Sequence, residues 1–381
     1  MHEIHDGVVL SWNDPITEEL RRARWLSADD RRPPDDVVVV DDALTATRAL
    51  ELAESRSGLL WTSDYVNACR LLDAMRRRLT RTPPRRALPP AQEFHRQRQH
   101  RARTARLLAA MLVPIEPGPL RVPLPRAPRV DDAVEEVFGE VPGAAVLPLR
   151  ELLGITNAHR QRRRGIVVGA LADRRIHPHF GVFAPTRQDY LELLTKVPMR
   201  PVDLAFDIGT GTGVLAAVLA RAGAARVVAT DNSARAVACA RDNVDRLGLG
   251  RHVDVQHRDL FPPGRADVVV ANPPWVPGNP HSDLDRGVFD PAGRMLDRLV
   301  LGVGQHLRTD GEAWLILSDL AEHLGLRRPD HLPALIGAAG LIVRDRISTR
   351  PSTRRGVTGR DDPLAELRGR EQIHLWRMTS A

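Results

Sequence analysis

The chain has 381 residues, 43% of them hydrophobic and 4% aromatic, with a formal net charge of +7. This length predicts two domains, and the excess of Arg permits a polyanionic partner such as RNA or DNA. No stretch approaches the ~20 apolar residues of a membrane span, and the first residues show no signal-peptide pattern. Cys69 and Cys239 lie far apart and match neither a disulfide framework nor a zinc site. We therefore expect a soluble, cytoplasmic protein with no membrane partner and no metal.

The N-terminal part is predicted to be rich in helices and in arginine. The runs RALELAES and NACRLLDAMRRRL have apolar residues at helical spacing. The run EFHRQRQHRARTARLLAAMLVP predicts a helix with one basic face, which is either a nucleic-acid-facing surface or the solvated face of an ordinary helix. Prolines at short intervals in 113–128 predict an extended linker. We therefore expect residues 1–129 to form one domain that ends in this linker.

Residues 130–176 are predicted to hold two short helices and a strand, as a small connecting subdomain on the substrate side. From Asp203 onward, apolar strands alternate with helices. The predicted strands are VDLAFDIG, RVVATD, HVDVQHRD, ADVVVANPPW, EAWLILSDL, LIVRDRIST and EQIHLWRM. This alternation predicts an α/β domain over residues 177–381, with a mostly parallel sheet covered by helices on both faces. A polar loop before the last strand favours an antiparallel final strand.

A glycine-rich turn follows the first of these strands, in the run AFDIGTGTGVLA. Gly209, Gly211 and Gly213 let the backbone turn tightly and approach a ligand. Their spacing is G-x-G-x-G and not the G-x-G-x-x-G of a dinucleotide site, which argues against a nicotinamide cofactor. Asp207 stands beside the turn, where a carboxylate repels phosphate and suits a cationic amino group. Thr210 completes the predicted turn site.

Two further carboxylates follow the next two strands. Asp231 ends the second strand about 20 residues past the turn, where an acidic residue can hold both hydroxyls of a ribose. Asp259 follows the third strand, where its side chain could receive the amino group of an adenine. Their neighbours Asn232 and Leu260 are included in the predicted site. Three acidic residues without a phosphate-binding group are the pattern expected of a site for S-adenosylmethionine. The product of that cofactor would be S-adenosylhomocysteine.

The ordered pair DIGTGTG and NPPW, with an acid between them, resembles the class I S-adenosylmethionine-dependent methyltransferases. Within that class, residues 177–378 are similar to the "methyltransferase small domain" group, which includes release-factor glutamine and ribosomal-RNA guanine N-methyltransferases. The resemblance implies a Rossmann-like seven-stranded sheet. The helix-rich N-terminal domain matches no motif of those enzymes.

In similar enzymes, an Asn/Asp-Pro-Pro-aromatic motif ends the fourth strand and binds a planar nitrogen. The resemblance implies that Asn272, Pro273, Pro274 and Trp275 do so here, with Asn272 also facing the cofactor. The side-chain oxygen of Asn272 and the carbonyl of Pro273 would orient the acceptor nitrogen, and Trp275 would stack on a flat substrate group. The release-factor enzymes usually have Tyr at this last position.

A segment before the glycine turn, RIHPHFGVFAPTRQDYLELL, is the expected cap over the methionine part of the cofactor. In related enzymes a GVF…P… segment has this place, which implies Phe183 and Thr186 as cofactor-binding residues. Phe180, Pro185 and Tyr190 belong to the same segment. His177 and His179 are predicted to be a polar pair and not metal ligands, because no third ligand accompanies them.

The sequence predicts an N-methyltransferase and leaves its acceptor open. The candidates are a side-chain amide of a polypeptide such as glutamine, an exocyclic amine of RNA or DNA, and a small metabolite. A non-catalytic, cofactor-binding scaffold is the alternative from another class. The basic loop 349–370 is either a phosphate-contacting surface or a disordered insertion.

Overall fold

A computed structural model of the chain describes residues 7–80, 88–118, 120–198, 200–352 and 362–381. These residues form two compact units. The N-terminal unit comprises Met1–Arg86 and His95–Arg160, and the C-terminal unit comprises Ala87–Phe94 and Gln161–Ala381. None of the helices in the described ranges has the length and apolar content that a bilayer span needs.

The helices of the described residues are short to medium in length. They are α1 (Ala46–Glu54), α2 (Tyr65–Thr80), α3 (Pro90–Leu108), α4 (Asp131–Phe138), α5 (Leu149–Arg164), α6 (Asp189–Thr195), α7 (Val214–Arg221), α8 (Ala234–Arg246), α9 (Asp283–Arg286), α10 (Arg294–Val303), α11 (Leu320–His323), α12 (His331–Ala338) and α13 (Ala365–Gly369). Single 3₁₀ turns lie at Gly169–Leu171, Pro291–Gly293 and Gly304–His306. The predicted basic helix is α3, and the two predicted helices after residue 130 are α4 and α5.

The N-terminal unit contains a six-stranded sheet in its described part. Its strands are β1 (Val9–Asn13), β2 (Leu20–Trp25), β3 (Asp36–Val40), β4 (Ser57–Trp61), β5 (Met111–Ile115) and β6 (Ala145–Pro148), in the order β1-β2-β6-β5-β4-β3. The helices of this unit were predicted, but the sheet was not. A strand such as β2, LRRARW, exposes Leu20, Arg21 and Arg22 and buries only Ala23, so its apolar alternation is weak.

The Pro-rich segment 113–128 is not where the described residues divide, because both of its sides belong to the N-terminal unit. Its first residues complete β5, in which Val113 is fully buried. A proline is tolerated here because β4 pairs only with Met111 and Leu112, so Pro114 lies beyond that pairing. The predicted connecting subdomain 130–176 is likewise divided between the two units, since β6 joins the N-terminal sheet.

The C-terminal unit contains the expected seven-stranded sheet, here called the central sheet. Its strands are β9 (Val202–Ile208), β10 (Ala224–Asp231), β11 (Val253–His257), β12 (Ala266–Ala271), β15 (Leu307–Ser318), β16 (Leu341–Thr349) and β17 (Ile373–Ser380), in the order β11-β10-β9-β12-β15-β17-β16. Within this sheet, neighbouring strands among β11, β10, β9, β12 and β15 pair in parallel. The strand β17 runs antiparallel to both β15 and β16. The α/β fold and the antiparallel last strand are therefore confirmed.

Two apolar cores cover the two faces of the central sheet. In β12, Val268 and Val270 pack in one core while Val269 and Ala271 pack in the other. A strand buried on both faces reads as a continuous apolar run, which explains why VVVA was recognised as a strand. Two further short pairs lie outside the central sheet. The strand predicted in 130–176 is β7 (Ile166–Val168), which pairs antiparallel with β8 (Arg174–Ile176). The strand β8 and the parallel pair β13 (Val276–Pro277) with β14 (Phe289–Asp290) were not predicted.

Candidate active site

The register of the central sheet brings the predicted site residues to one edge. Ile208 at the end of β9 pairs with Ala271 at the end of β12 and with Thr230 in β10. Asp231 ends β10 and pairs with His257, the last residue of β11. The glycine turn, Asp231 and Asn272 therefore all leave the sheet at its carboxyl edge, where open α/β sheets bind ligands.

The glycine turn adopts a backbone that side chains would strain. Gly209, Gly211 and Gly213 have φ angles of 73°, 55° and 79°. At Gly213, a Cβ atom would also lie 3.2 Å from the Cα atom of Ala240 in α8. The amides of Gly209 and Thr210 both donate to the carbonyl of Thr230 at 2.9 Å, which ties the turn to β10. Glycine is therefore required here both by backbone angle and by helix packing.

Asp207 lies under this turn with no exposed surface. Its Oδ2 atom accepts hydrogen bonds from the Thr210 hydroxyl at 2.6 Å and the Ala216 amide at 2.9 Å. Its Oδ1 atom is buried and has no hydrogen-bond partner among the described residues. Burial raises the pKa of Asp207 to about 7. An unpaired buried carboxylate oxygen costs free energy, so this atom is suited to a ligand that brings a hydrogen-bond donor.

We expect the affinity for S-adenosylmethionine to depend on pH through Asp207. The ionised carboxylate attracts an ammonium group and the protonated form does not, so the dissociation constant should rise about tenfold per pH unit well below pH 7. Calorimetric titrations between pH 5.5 and 8 measure this slope. Asp207→Asn should bind more weakly at pH 8 and lose most of the slope. A wild-type constant that stays flat over this range would contradict the role of Asp207.

The same pKa shift has a consequence for folding. The folded-state pKa of Asp207, about 7, lies above the ordinary aspartate pKa of 3.8. Its contribution to stability is therefore fully present below about pH 4 and is lost as the pH rises through 7. Unfolding of the protein without cofactor should show this decline, and Asp207→Asn should flatten it.

Asp231 joins the turn to the start of α8. Its Oδ2 atom accepts from the Gly211 amide at 3.0 Å, and its Oδ1 atom accepts from the Ser233 amide at 2.9 Å. Each carboxylate oxygen can accept a second hydrogen bond. Burial raises the pKa of Asp231. The carboxylate thus keeps acceptor capacity beside the glycine turn, as a ribose diol would need.

The predicted adenine-side residues are less enclosed. Asp259 is exposed, and its carboxylate pairs with Arg298 at 2.7 Å. Leu260 is buried with a φ angle of 55°, and its carbonyl accepts from the Thr230 hydroxyl at 2.6 Å. Asn232 is exposed, and its backbone carbonyl oxygen lies 3.0 Å from Nε2 of His257. A contact of Asp259 with an adenine amino group stays a prediction, and it would compete with Arg298.

The motif after β12 contains a hydrogen bond that the sequence analysis did not predict. The indole Nε1 of Trp275 donates to Oδ1 of Asn272 at 2.8 Å, and both side chains are half-buried. Pro273, which lies between these two residues in the sequence, is buried. The roles predicted for Asn272, Pro273, Pro274 and Trp275 stay predictions. The structure adds that one of the two acceptor positions on the Asn272 oxygen is already used.

Charged residues missed by the sequence analysis surround Trp275. The Arg187 guanidinium carbon lies 6.0 Å from the centre of the indole ring. Its Nη2 and Nε atoms approach the buried carboxylates of Glu371 and Asp189 at 3.7 and 3.9 Å, which are ion-pair and not hydrogen-bond distances. Burial raises the pKa of Glu371. Only the chain fold brings Glu371 beside Arg187, so no local signal could have found this group.

A buried arginine, Arg327, contacts the backbone of Trp275. Arg327 donates to both carboxylate oxygens of Glu322 at 2.8 and 3.0 Å and to the Ser318 carbonyl at 3.0 Å. It also donates to the Trp275 carbonyl at 3.4 Å. A cavity of about 250 Å³ opens beside Pro274, Trp275 and Arg327. This volume is below the ~300 Å³ of typical ligand pockets, so it fits a side chain better than a whole cofactor.

The predicted cap contacts the segment between β12 and α10. A Cβ atom on Gly287 would lie 2.9 Å from Cβ of Phe183, so the cap passes close to this segment. Arg235 in the first turn of α8 pairs with Asp283 at 3.1 Å. Phe183 and Thr186 are exposed, and their contact with a cofactor stays a prediction.

The start of the cap is held by a buried side chain that the sequence analysis missed. Asn243 of α8 accepts from the His177 amide at 2.7 Å and donates to the Thr212 carbonyl at 3.1 Å. His177 Nδ1 lies 2.6 Å from the Arg162 carbonyl, and His179 Nε2 lies 3.1 Å from the Asp242 carboxylate. Across the described ranges, no group of three or more His, Cys, Asp or Glu side chains could hold a metal ion.

The chain is similar in sequence to known methyltransferases. A family model described as methyltransferase small domain matches residues 173–328. A release factor glutamine methyltransferase of Cereibacter sphaeroides is 29% identical over 263 residues, covering 63% of this chain and 90% of that protein. One of Xylella fastidiosa is 30% identical over 206 residues, covering 48% of this chain and 72% of that protein. A ribosomal protein L11 methyltransferase of Pelotomaculum thermopropionicum is 46% identical over 84 residues, covering 22% of this chain and 27% of that protein.

Proposed function

We propose that this chain, which belongs to the methyltransferase small domain family of class I S-adenosylmethionine-dependent methyltransferases, methylates a side-chain amide nitrogen of a polypeptide, such as that of a glutamine. The observation that carries the proposal is the Asn272 oxygen, held at the carboxyl edge of the central sheet with one free acceptor position. The relatives named as glutamine methyltransferases support the same acceptor class.

The residues of the glycine turn fit S-adenosylmethionine. The unpaired Oδ1 of Asp207 suits the amino group of the methionine part. The remaining acceptor capacity of Asp231 suits the ribose hydroxyls. When bound, the cofactor supplies an electrophilic methyl group on a sulfonium and leaves as the thioether S-adenosylhomocysteine. Phe183, Thr186 and Asp259 are further contacts in this proposal.

The residues after β12 would orient the acceptor. An amide nitrogen is a weak nucleophile because its lone pair is conjugated with the carbonyl. Asn272 Oδ1 and the Pro273 carbonyl accept its two N–H groups and point its lone pair toward the methyl group. Holding reactants in this way lowers the barrier without any acid or base. The methylated nitrogen is strongly acidic and loses its proton to water, so no carboxylate base is needed.

The charges around Trp275 support a neutral acceptor over a polyanionic one. Arg187 and Arg327 are each matched by nearby carboxylates, namely Asp189 and Glu371 for the first and Glu322 for the second. Among the described residues around Trp275, these pairs leave no excess of positive charge, so this part of the structure offers a phosphate backbone no electrostatic gain.

A labelling experiment tests the acceptor class. The purified protein is incubated with methyl-tritiated S-adenosylmethionine and a cell extract from a strain that lacks its own copy of the enzyme. We expect label that protease and not nuclease releases. Acid hydrolysis of that fraction should then liberate volatile tritiated methylamine, because an N-methyl amide hydrolyses to methylamine while methylated Lys or Arg does not.

The outcomes are distinct. Nuclease-released label would overturn the amide acceptor in favour of an exocyclic base amine. Protease-released label that yields no volatile methylamine would place the methyl group on another protein nitrogen. Label in neither polymer would favour a small metabolite. The Asn272→Ala variant in parallel separates transfer by this site from background labelling.

A further inference from the structure

The indole of Trp275 does more at this site than offer a flat surface. Its Nε1–H donates to Oδ1 of Asn272 at 2.8 Å. An indole N–H can only donate, whereas the Asn side chain has an acceptor oxygen at one end and a donor amide at the other. The Trp275 donor therefore selects which end of the Asn272 side chain turns toward it.

The orientation of this amide matters for the proposed chemistry. The torsion that turns a terminal amide is broad and nearly two-fold, so an isolated Asn side chain flips between two orientations. In the flipped orientation, Asn272 would present N–H groups to the N–H groups of the acceptor. That contact is repulsive and would prevent alignment of the nitrogen lone pair.

The indole is itself held in place, so its donor is fixed. Its ring packs against buried apolar residues on both sides of the central sheet. The backbone carbonyl of Trp275 accepts a hydrogen bond from Arg327, whose guanidinium is held by Glu322. The Arg187 guanidinium lies over the ring. A ring with so little freedom can determine the orientation of its hydrogen-bond partner.

We propose that Trp275 is a positioning residue that holds the Asn272 oxygen, and not its amide nitrogen, toward the acceptor nitrogen. This inference rests on the proposed function, since it assigns how the same site orients its acceptor. A tyrosine ring at this position has no donor at the place of the indole N–H. The hydrogen bond is therefore particular to a chain with Trp275.

The first test needs no acceptor. In wild-type protein labelled with ¹⁵N, the Trp275 indole resonance is assigned by its absence in Trp275→Phe. Its hydrogen exchange should be slow, and Asn272→Ala should accelerate it at least about tenfold, the ratio that corresponds to 1.4 kcal/mol. Equal exchange in the two proteins would overturn the inference.

The second test removes the donor and keeps the ring. Replacement of Trp275 by 3-benzothienylalanine exchanges the indole N–H for sulfur with little change in shape. We expect the initial rate of tritium transfer into the polypeptide fraction, at saturating cofactor, to fall about tenfold, because the Asn272 amide would then lie mostly in the flipped orientation that cannot align the acceptor nitrogen. The dissociation constant for S-adenosylmethionine should stay within about twofold.

A matched control separates positioning from folding. Trp61 donates its indole N–H to the Asp64 carbonyl at 3.0 Å within the N-terminal unit. The same replacement at Trp61 should lower thermal stability without lowering the transfer rate per folded molecule. If wild-type protein labels polypeptide and the Trp275 analogue is equally fast, the inference fails. If wild-type protein labels no polypeptide, the proposed function fails, and the exchange test alone decides the hydrogen bond.

Discussion

Replacing Asn272 by Ala should reduce methyl transfer at least about 100-fold, the scale seen when one preorganised transition-state hydrogen bond is removed. The alanine side chain has no oxygen to accept the N–H group of the acceptor amide. It also leaves the Trp275 indole N–H without its acceptor. The measurement is the initial rate of tritium transfer at saturating cofactor, together with calorimetric titration of S-adenosylmethionine.

The dissociation constant for the cofactor should change little in this variant, because the glycine turn and Asp231 are untouched. Asn157 provides a matched control, since its amide is exposed on α5 in the N-terminal unit, and Asn157→Ala should transfer at the wild-type rate. Near-full transfer by Asn272→Ala would show that the site lies elsewhere.

The second large effect is expected at Asp231. Asp231→Ala should weaken S-adenosylmethionine binding about 100-fold, because two charge-assisted hydrogen bonds are lost and each is worth ~1.5–3 kcal/mol before compensation. The amides of Gly211 and Ser233 lose their acceptor in the same variant. Equilibrium titration measures the loss, with Asp245→Ala as the control, since Asp245 is an exposed acid on α8, the helix that follows Asp231.

A cofactor analogue separates ribose binding from a disturbed turn. Wild-type protein should bind 2′-deoxy S-adenosylhomocysteine more weakly than the natural product, because Asp231 loses one hydroxyl partner. Asp231→Ala should bind both compounds equally weakly. If the variant still discriminated between them, the ribose would be held by another residue.

The middle of the central sheet was predictable because strands such as β12 are buried on both faces. The run around Val269 is continuous and apolar, and the run around Phe206 is interrupted only by Asp203 and Asp207. A strand buried on both faces reads as an apolar run in the sequence. The N-terminal sheet was not predicted because its strands are four to six residues long, β1 and β2 are largely exposed, and Pro114 interrupts β5.

Part of the candidate site was also predictable, because it depends on local geometry. A glycine turn after a parallel strand and polar residues at neighbouring strand ends lie at one edge in any parallel sheet. The register of β9 with β10 and β12 places Gly209, Asp231 and Asn272 there. Residues 353–361 of the basic loop 349–370 lie outside the described residues, so both interpretations of this loop stay predictions.

In the C-terminal unit, local sequence patterns predicted the succession of strands and helices, the glycine turn, the three carboxylates and the motif that begins at Asn272, because each follows from backbone preferences within a short window. Three contacts emerge only in the three-dimensional structure: the unpaired oxygen of Asp207, the hydrogen bond from Trp275 to Asn272, and the approach of Glu371 to Arg187. Such contacts depend on side-chain packing, and in the last case on residues far apart in the chain. The hydrophobic periodicity of the sequence does not predict these contacts, because their distances are set by how the helices and strands pack against the sheet.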